Sequence, residues 1–178
     1  EGAGAGDYLV CQLEISQEIV RYALRKARQK GMVTVLNPAP AAELLPGILE
    51  NCDYFMPNQS EAEFYTGIFP EDEDSAKKCA EALAAKGVKN VVVTMGSEGS
   101  AYVGEAGYHK AECCKAQAVD TTAAGDTYVG AFVTGLSEGM SVREAMAFAS
   151  RASAITVTRR GAQKSIPTRA EVAEKYGK

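Results

Sequence analysis

The sequence is short of the residues that build metal and redox centres. It has one histidine, His109, no tryptophan, and 5 cysteines: Cys11, Cys52, Cys79, Cys113 and Cys114. An odd number of thiols with no Cys-x-x-Cys gives neither a disulfide framework nor a zinc site. Reduced, mostly packed thiols in a cytoplasmic protein are the expectation. A basic excess is lacking too. The 19 Lys and Arg against 23 Asp and Glu leave a net charge of −4. That argues against a nucleic-acid partner, which needs a basic footprint, but not against a phosphate ligand, which needs only a local field. No apolar run reaches the roughly 18 residues of a membrane span, so no membrane partner is expected. No basic start with an apolar stretch and a cleavage site marks a secretory leader. With no internal repeat and no long linker, the 178 residues are expected to make a single domain, 1–178, with a real core. The opening EGAGAGD lacks an initiator Met. It reads as a cloning remnant, a loop or the edge of a longer protein.

What is present is an alternation of strands and helices. YLVCQLE, residues 8–14, reads as a buried strand. Ser16 then caps a helix whose apolar stripe is Ile19, Val20, Ala23, Leu24 and Ala27, stopped by Gly31. MVTVLNP is a second strand, ended by Pro38. A short helical stretch over 41–50 leads to the strand YFMPN and a helix over 60–65. DSAKKCAEALAAKG is an amphipathic helix with Asp74 or Ser75 as cap and Gly87 as terminator. NVVVTMG is a strand, and SAYVGE and GYHKAEC form an antiparallel hairpin at a sheet edge. Helices over 124–138 and 142–156 and a short last helix after Pro167 complete the chain. Such alternation means an α/β fold, a mostly parallel sheet with helices on both faces. Ligands in such folds bind at the carboxyl ends of the strands, which here carry Glu14, Asn37, Asn58, residues 94–99 and residues 120–126.

Three segments at those ends carry chemistry. In DTTAAGDTYVGAF, residues 120–132, the AAGD run offers consecutive backbone N–H groups at a helix start, and Gly125 permits a close approach. A helix start favours negative charge. Asp126 at that place is an acceptor that can take a proton from a hydroxyl. Together they suit phosphoryl transfer to an alcohol, although Asp126 could equally be no more than a helix-start acid. TMGSEG, residues 94–99, could pass close to nucleotide phosphates, and as a bare turn into the hairpin it needs no ligand. It is not a Walker A loop, since no Gly-Lys-Ser/Thr follows. NQSE, residues 58–61, puts an amide and a carboxylate at a helix start. They can share an Mg–phosphate network, or be a cap and its capping-box partner, or both.

Taken together, DTTAAGDTYVGAF, NPAP, PNQSEAE, VVVTMGSEG and TRRGAQKSIP resemble segments of the ribokinase-like (PfkB) family of carbohydrate kinases, from about Tyr8 to Pro167. The resemblance implies a ribokinase-like three-layer sandwich whose amino-terminal part and β lid are missing from this sequence. It implies ATP-dependent phosphorylation of a sugar hydroxyl, D-ribose to D-ribose 5-phosphate before others. Another sugar or nucleoside kinase, or a non-catalytic nucleotide-binding remnant, are the alternatives. It implies Asp126 as the catalytic base on the sugar, with an anion hole from the backbone of Ala123, Ala124, Gly125 and Asp126, and Glu14 touching the sugar. ATP would meet Asn58, Thr94, Gly96, Ser97, Glu98, Gly99, Gly125 and Ser150. Glu61 would serve Mg²⁺ indirectly. K⁺ would take oxygens from Asp120, Thr122, Thr156, Arg159, Gly161 and Ser165. ATP and a small sugar are the implied partners. A homo-oligomer is possible, but the lid that often builds the dimer is not in this sequence.

Overall fold

A computed structural model describes residues 2–177. Six strands, β1 (Tyr8–Cys11), β2 (Val33–Leu36), β3 (Tyr54–Phe55), β4 (Asn90–Thr94), β5 (Ser100–Gly104) and β6 (Gly107–Ala111), form one sheet in sequence order. β1 to β4 are parallel, in register Val10 to Val35, Leu36 to Phe55 and Phe55 to Val91. Only Glu105 and Ala106 separate β5 from β6. A link that short can only reverse the chain, so the hairpin is antiparallel and the sheet is mixed. The helices are α1 (Gln17–Gln29), α2 (Gln59–Thr66), α3 (Glu73–Ala84), α4 (Ala124–Ser137), α5 (Val142–Thr156) and α6 (Arg169–Tyr176). Among the described residues no helix is long and apolar enough to cross a membrane.

Backbone packing divides the chain into two compact units. The first, Glu1–Met95 with Ala101–His109, carries α1 to α3. Its core is made by Leu36, Phe55, Val91 and Val93 of the strands together with Val20 and Leu24 of α1 and Cys79, Ala80 and Leu83 of α3. The Phe55 ring meets Tyr65 edge-on at 5.3 Å. The second unit, Gly96–Ser100 with Lys110–Lys178, carries α4 to α6. Here α4 and α5 approach so closely that a side chain on Gly135 would lie 3.1 Å from Cα of Ala145. Ala152, Ile155 and Val172 close the seam toward α6.

Five expectations need correction. β1 is an edge strand and only half-buried, with Val10 43% exposed, so its unbroken apolar run does not mean two covered faces. In α1 the buried stripe narrows to Val20, Leu24 and Ala27, and Ile19 faces out. Ser16 does occupy the N-cap position of α1, but its side chain makes no cap hydrogen bond. Residues 41–50 hold no α-helix, only the start of a 3-10 turn at Leu49–Asn51. Pro46 and Gly47 interrupt that stretch, and side chains satisfy its backbone instead. Tyr65 Oη bonds both the N–H and the carbonyl of Ala42, and Gln17 accepts from the Leu45 amide while donating to the Glu43 carbonyl. The cap of α3 is Asp72 rather than Asp74 or Ser75, because Ser75 is its reciprocal partner in a capping box.

Burial sets what the α1 stripe contributes. Leu24 is 0% and Ile19 58% exposed. Leu24→Ala should therefore cost about 2–5 kcal/mol, and Ile19→Ala should stay within about 0.5 kcal/mol. Urea unfolding of the two variants checks this, and equal costs would contradict the placement of the stripe.

Candidate active site

In the first unit, the carboxyl ends of the parallel strands collect the polar residues. After β1, Gln12 donates to the Asn37 carboxamide oxygen at 3.2 Å, and Asn37 donates to the Met56 carbonyl at 2.8 Å. Glu14 follows, exposed. Beyond β3, the backbone at Asn58 pairs with Thr94 at the end of β4, and the Thr94 amide donates to the Pro57 carbonyl. Asn58 and Thr94 are thus held side by side.

Asn58 caps α2 in a full capping box. Its side chain accepts from the Glu61 amide at 2.9 Å, and the Glu61 carboxylate accepts from the Asn58 amide at 2.9 Å. Glu61 is nonetheless only 7% exposed. Burial pushes its carboxyl pKa up, partly offset by the Asn58 amide. Among the described residues no Lys or Arg forms an ion pair with it, and no cluster of three or more His, Cys, Asp or Glu could hold a metal unaided. A buried carboxylate without a cationic partner suits a divalent cation that brings most of its own oxygens.

In the second unit, residues Gly96–Glu98 form a 3-10 turn after β4, with Ser97 and Glu98 at its surface. Gly96 and Gly99 both have positive φ, +54° and +88°. Gly99 also has no room: a Cβ there would lie 2.0 Å from the Ala111 carbonyl oxygen. Ser150 of α5 donates to the Glu112 carbonyl at 2.9 Å and accepts from the Cys114 amide at 3.2 Å. It pins the strand exit that cradles Gly99. Ser100, at the end of the turn, shares a 2.6 Å hydrogen bond with the buried phenol of Tyr128 on α4.

The start of α4 is tightly constrained. Ala123, its N-cap, has φ +60°, and is the one non-glycine with positive φ among the described residues. Such a residue stores on the order of 1–3 kcal/mol and persists only where neighbours over-determine it. They do. The Ala124 amide donates to the Thr121 carbonyl at 3.2 Å, and the Thr127 amide to the Ala123 carbonyl at 2.9 Å. Asp120 accepts from the Thr122 amide at 2.9 Å through one oxygen and from the Gly161 amide at 3.0 Å through the other. These bonds hold its carboxyl at about 2, well below the usual range. Gly125 is exposed, with nothing within 4 Å of where a side chain would start. Asp126, third residue of the helix, is exposed in its first turn. The Ala124 amide, expected in the anion hole, is thus taken by the Thr121 carbonyl; a helix start with an open glycine and an exposed carboxylate can still bind an anion and accept a proton at one place.

A family model described as pfkB family carbohydrate kinase matches residues 3–169. The chain belongs to the PfkB family of carbohydrate kinases. Ribokinase of Haemophilus influenzae is 45% identical to it over 170 residues, 94% of this chain and 55% of that one. Deoxyribokinase of Salmonella typhi is 35% identical over 90% of this chain and 53% of that one. Among solved structures, Arabidopsis thaliana ribokinase complexed with ribose and ATP superposes with a TM-score of 0.91 at 30% identity, covering 96% of this chain and 55% of that one. Ribokinase from Thermotoga maritima gives 0.80 at 40% identity, over 94% and 56%. The fold is therefore ribokinase-like α/β, and the chain spans about half the length of these relatives.

The remaining residues expected at a PfkB cation site divide by availability. Thr156 and Ser165 are 0% exposed. The Thr156 hydroxyl lies 3.0 Å from that of Thr127 and 3.3 Å from the Ala152 carbonyl, and Ser165 donates to the Ala162 carbonyl at 2.6 Å. The Arg159 guanidinium is paired with Glu171. Oxygens for a cation there would come mainly from carbonyls and from Asp120. Two hollows elsewhere are not part of this constellation. One of about 600 Å³ is lined by Leu44, Leu49 and Lys86, and one of about 380 Å³ by Arg28, Asp53 and Lys89. The second lies at the amino ends of β2 to β4. Sequence reasoning did not find Tyr128, Ser100, Thr127 or Ser153. The one readable signal was the spacing of Ser150, Ser153 and Thr156, which puts three hydroxyls near one face of α5.

Glu61 supplies a direct check. A carboxyl whose folded pKa is raised binds protons more tightly folded than unfolded, so stability falls as pH rises through that range. Glu61→Gln removes the buried charge and keeps an acceptor for the Asn58 amide. Its melting temperature at pH 7 should equal or exceed the wild type, with a flatter profile from acid to neutral pH. A variant that melts markedly lower at neutral pH would refute this.

Proposed function

We propose that this chain carries the phosphoryl-transfer half of an ATP-dependent sugar kinase, with D-ribose the first candidate substrate. The single observation that carries the reading is the start of α4. There a strained Ala123, an open Gly125 and the exposed Asp126 stand together in one turn. Asp126 accepts the proton of the attacking sugar hydroxyl, and the first-turn amides meet the charge that builds on the transferred phosphoryl group. The glycine turn Gly96–Gly99 suits a close approach to nucleotide phosphates, and the family resemblance implies ATP contacts for Asn58 and Thr94 as well. Glu14 binds the sugar. Mg²⁺, when bound with ATP, neutralises phosphate charge, and Glu61 is the carboxylate suited to it. K⁺ would be held by Asp120 and the carbonyls of the loops it joins. The ribokinase relatives and the ribose- and ATP-bound neighbour support ribose and ATP. The 35% identical deoxyribokinase supports 2-deoxyribose as a second substrate to test.

A second reading, nucleotide binding without turnover by this chain alone, is favoured by its span of about half the relatives' length. Positioning the substrate accounts for about 7–11 kcal/mol of a barrier, and a chain with the base but without the full sugar site lacks most of it. The 178-residue chain should bind Mg-ATP weakly in calorimetry and release little ADP with D-ribose. Joined to the amino-terminal portion of the Haemophilus influenzae relative, it should turn over ribose. In that form Asp126→Asn should lower kcat by about 10²–10⁴-fold with ATP affinity kept. No heat from millimolar Mg-ATP with a folded chain, or a fully active Asp126→Asn enzyme, would overturn the proposal.

A further inference from the structure

Serine and threonine hydroxyls inside helices ordinarily bond back to the carbonyl four residues earlier. Thr66 does so to Ala62, and Thr134 to Gly130. Ser153, in the last turn of α5, does not. Its hydroxyl donates across to the Ala124 carbonyl, the first residue of α4, at 3.0 Å. One turn on, Thr156 meets the Thr127 hydroxyl. One turn back, Ser150 holds the Glu112–Cys114 backbone. At the far end of the helix pair, Gly135 against Ala145 fixes the spacing by close packing. The Ala124 carbonyl immediately follows Ala123, the strained residue. Asp120 and the Thr121 carbonyl hold the approach to Ala123, and Ser153 holds the exit.

We propose that Ser153 is a positioning residue for the reaction. By holding the Ala124 carbonyl it keeps Ala123 in its left-handed turn, and so aims the first-turn amides and Asp126 of α4. The proposal rests on the reading of Asp126 as the base, but its geometric part can be measured separately. In the ¹⁵N,¹³C-labelled chain, a positive φ gives Ala123 a strong intraresidue amide-to-Hα cross-peak. Ser153→Ala should weaken that peak with the rest of the spectrum native, and Ser153→Thr, which keeps the hydroxyl, should restore it. Calorimetry on the same samples should show Mg-ATP binding on the order of 3- to 10-fold weaker for Ser153→Ala, and recovery in Ser153→Thr. If Ser153→Ala does not fold, Ser153→Cys, of nearly equal size and a weak donor, carries the same measurement. An undiminished Ala123 cross-peak in the folded variant overturns the proposal. Absence of Mg-ATP binding by the wild type overturns the functional reading instead, and the cross-peak still decides on Ser153.

Discussion

The carboxylate of Asp120 ties together two loops of the second unit. One oxygen takes the Thr122 amide just ahead of α4, and the other takes the Gly161 amide beyond α5. Backbone bonds from the Val119 and Asp120 amides to the Val157 carbonyl run beside it. The geometry that follows depends on this link. With both loops held, the chain enters α4 through a left-handed alanine, a conformation it would not adopt unaided. The helix then starts with Gly125 and Asp126 facing out. The pKa of Asp120 has the matching sign. A carboxyl held near 2 contributes stability above the ordinary carboxylate range and loses it only as pH falls toward 2. The link is therefore intact at neutral pH.

The other elements of the candidate site are built by the same means, backbone held by side chains rather than by long ladders. The glycine turn is shaped by the steric exclusion at Gly99 and secured through Ser100 and Tyr128. Ser150 holds the strand exit against which that turn rests. In the first unit, the Asn58 and Glu61 capping box fixes the start of α2 while leaving a buried carboxylate with raised pKa. A cap and a cation ligand are compatible roles for one residue, since the cap uses one carboxylate oxygen for the Asn58 amide.

Much of this was legible in the residues. The mostly parallel sheet, the edge hairpin, and the spans of α4 and α5 follow from periodicity and turn residues, and the bounds of α5 fall where its pattern places them. The capping box at Asn58 is a local signal and was readable for that reason. What escaped was tertiary. Residues 41–50 look helical by composition, but Gln17 and Tyr65 capture their backbone from other elements. The apolar run of β1 does not show that the strand lies at an edge. The αL turn at Ala123 has no propensity signature, because alanine ordinarily avoids it. The partners of Ser153 and Tyr128 lie about thirty positions away in sequence, at Ala124 and Ser100. The match to carbohydrate kinases rested on the resemblance of five segments to that family rather than on motif chemistry alone, and the family comparison bears it out over residues 3–169.

The Asp120 link shapes the helix start that we propose binds the phosphoryl group. Titrating Mg-ATP into the folded chain and into Asp120→Ala by calorimetry tests it most directly. Asp126, the glycine turn and the Asn58 cap are unaltered in that variant. The account predicts that Asp120→Ala stays folded, melts lower, and loses measurable Mg-ATP binding that the wild type retains. Equal affinity in the two proteins would contradict it.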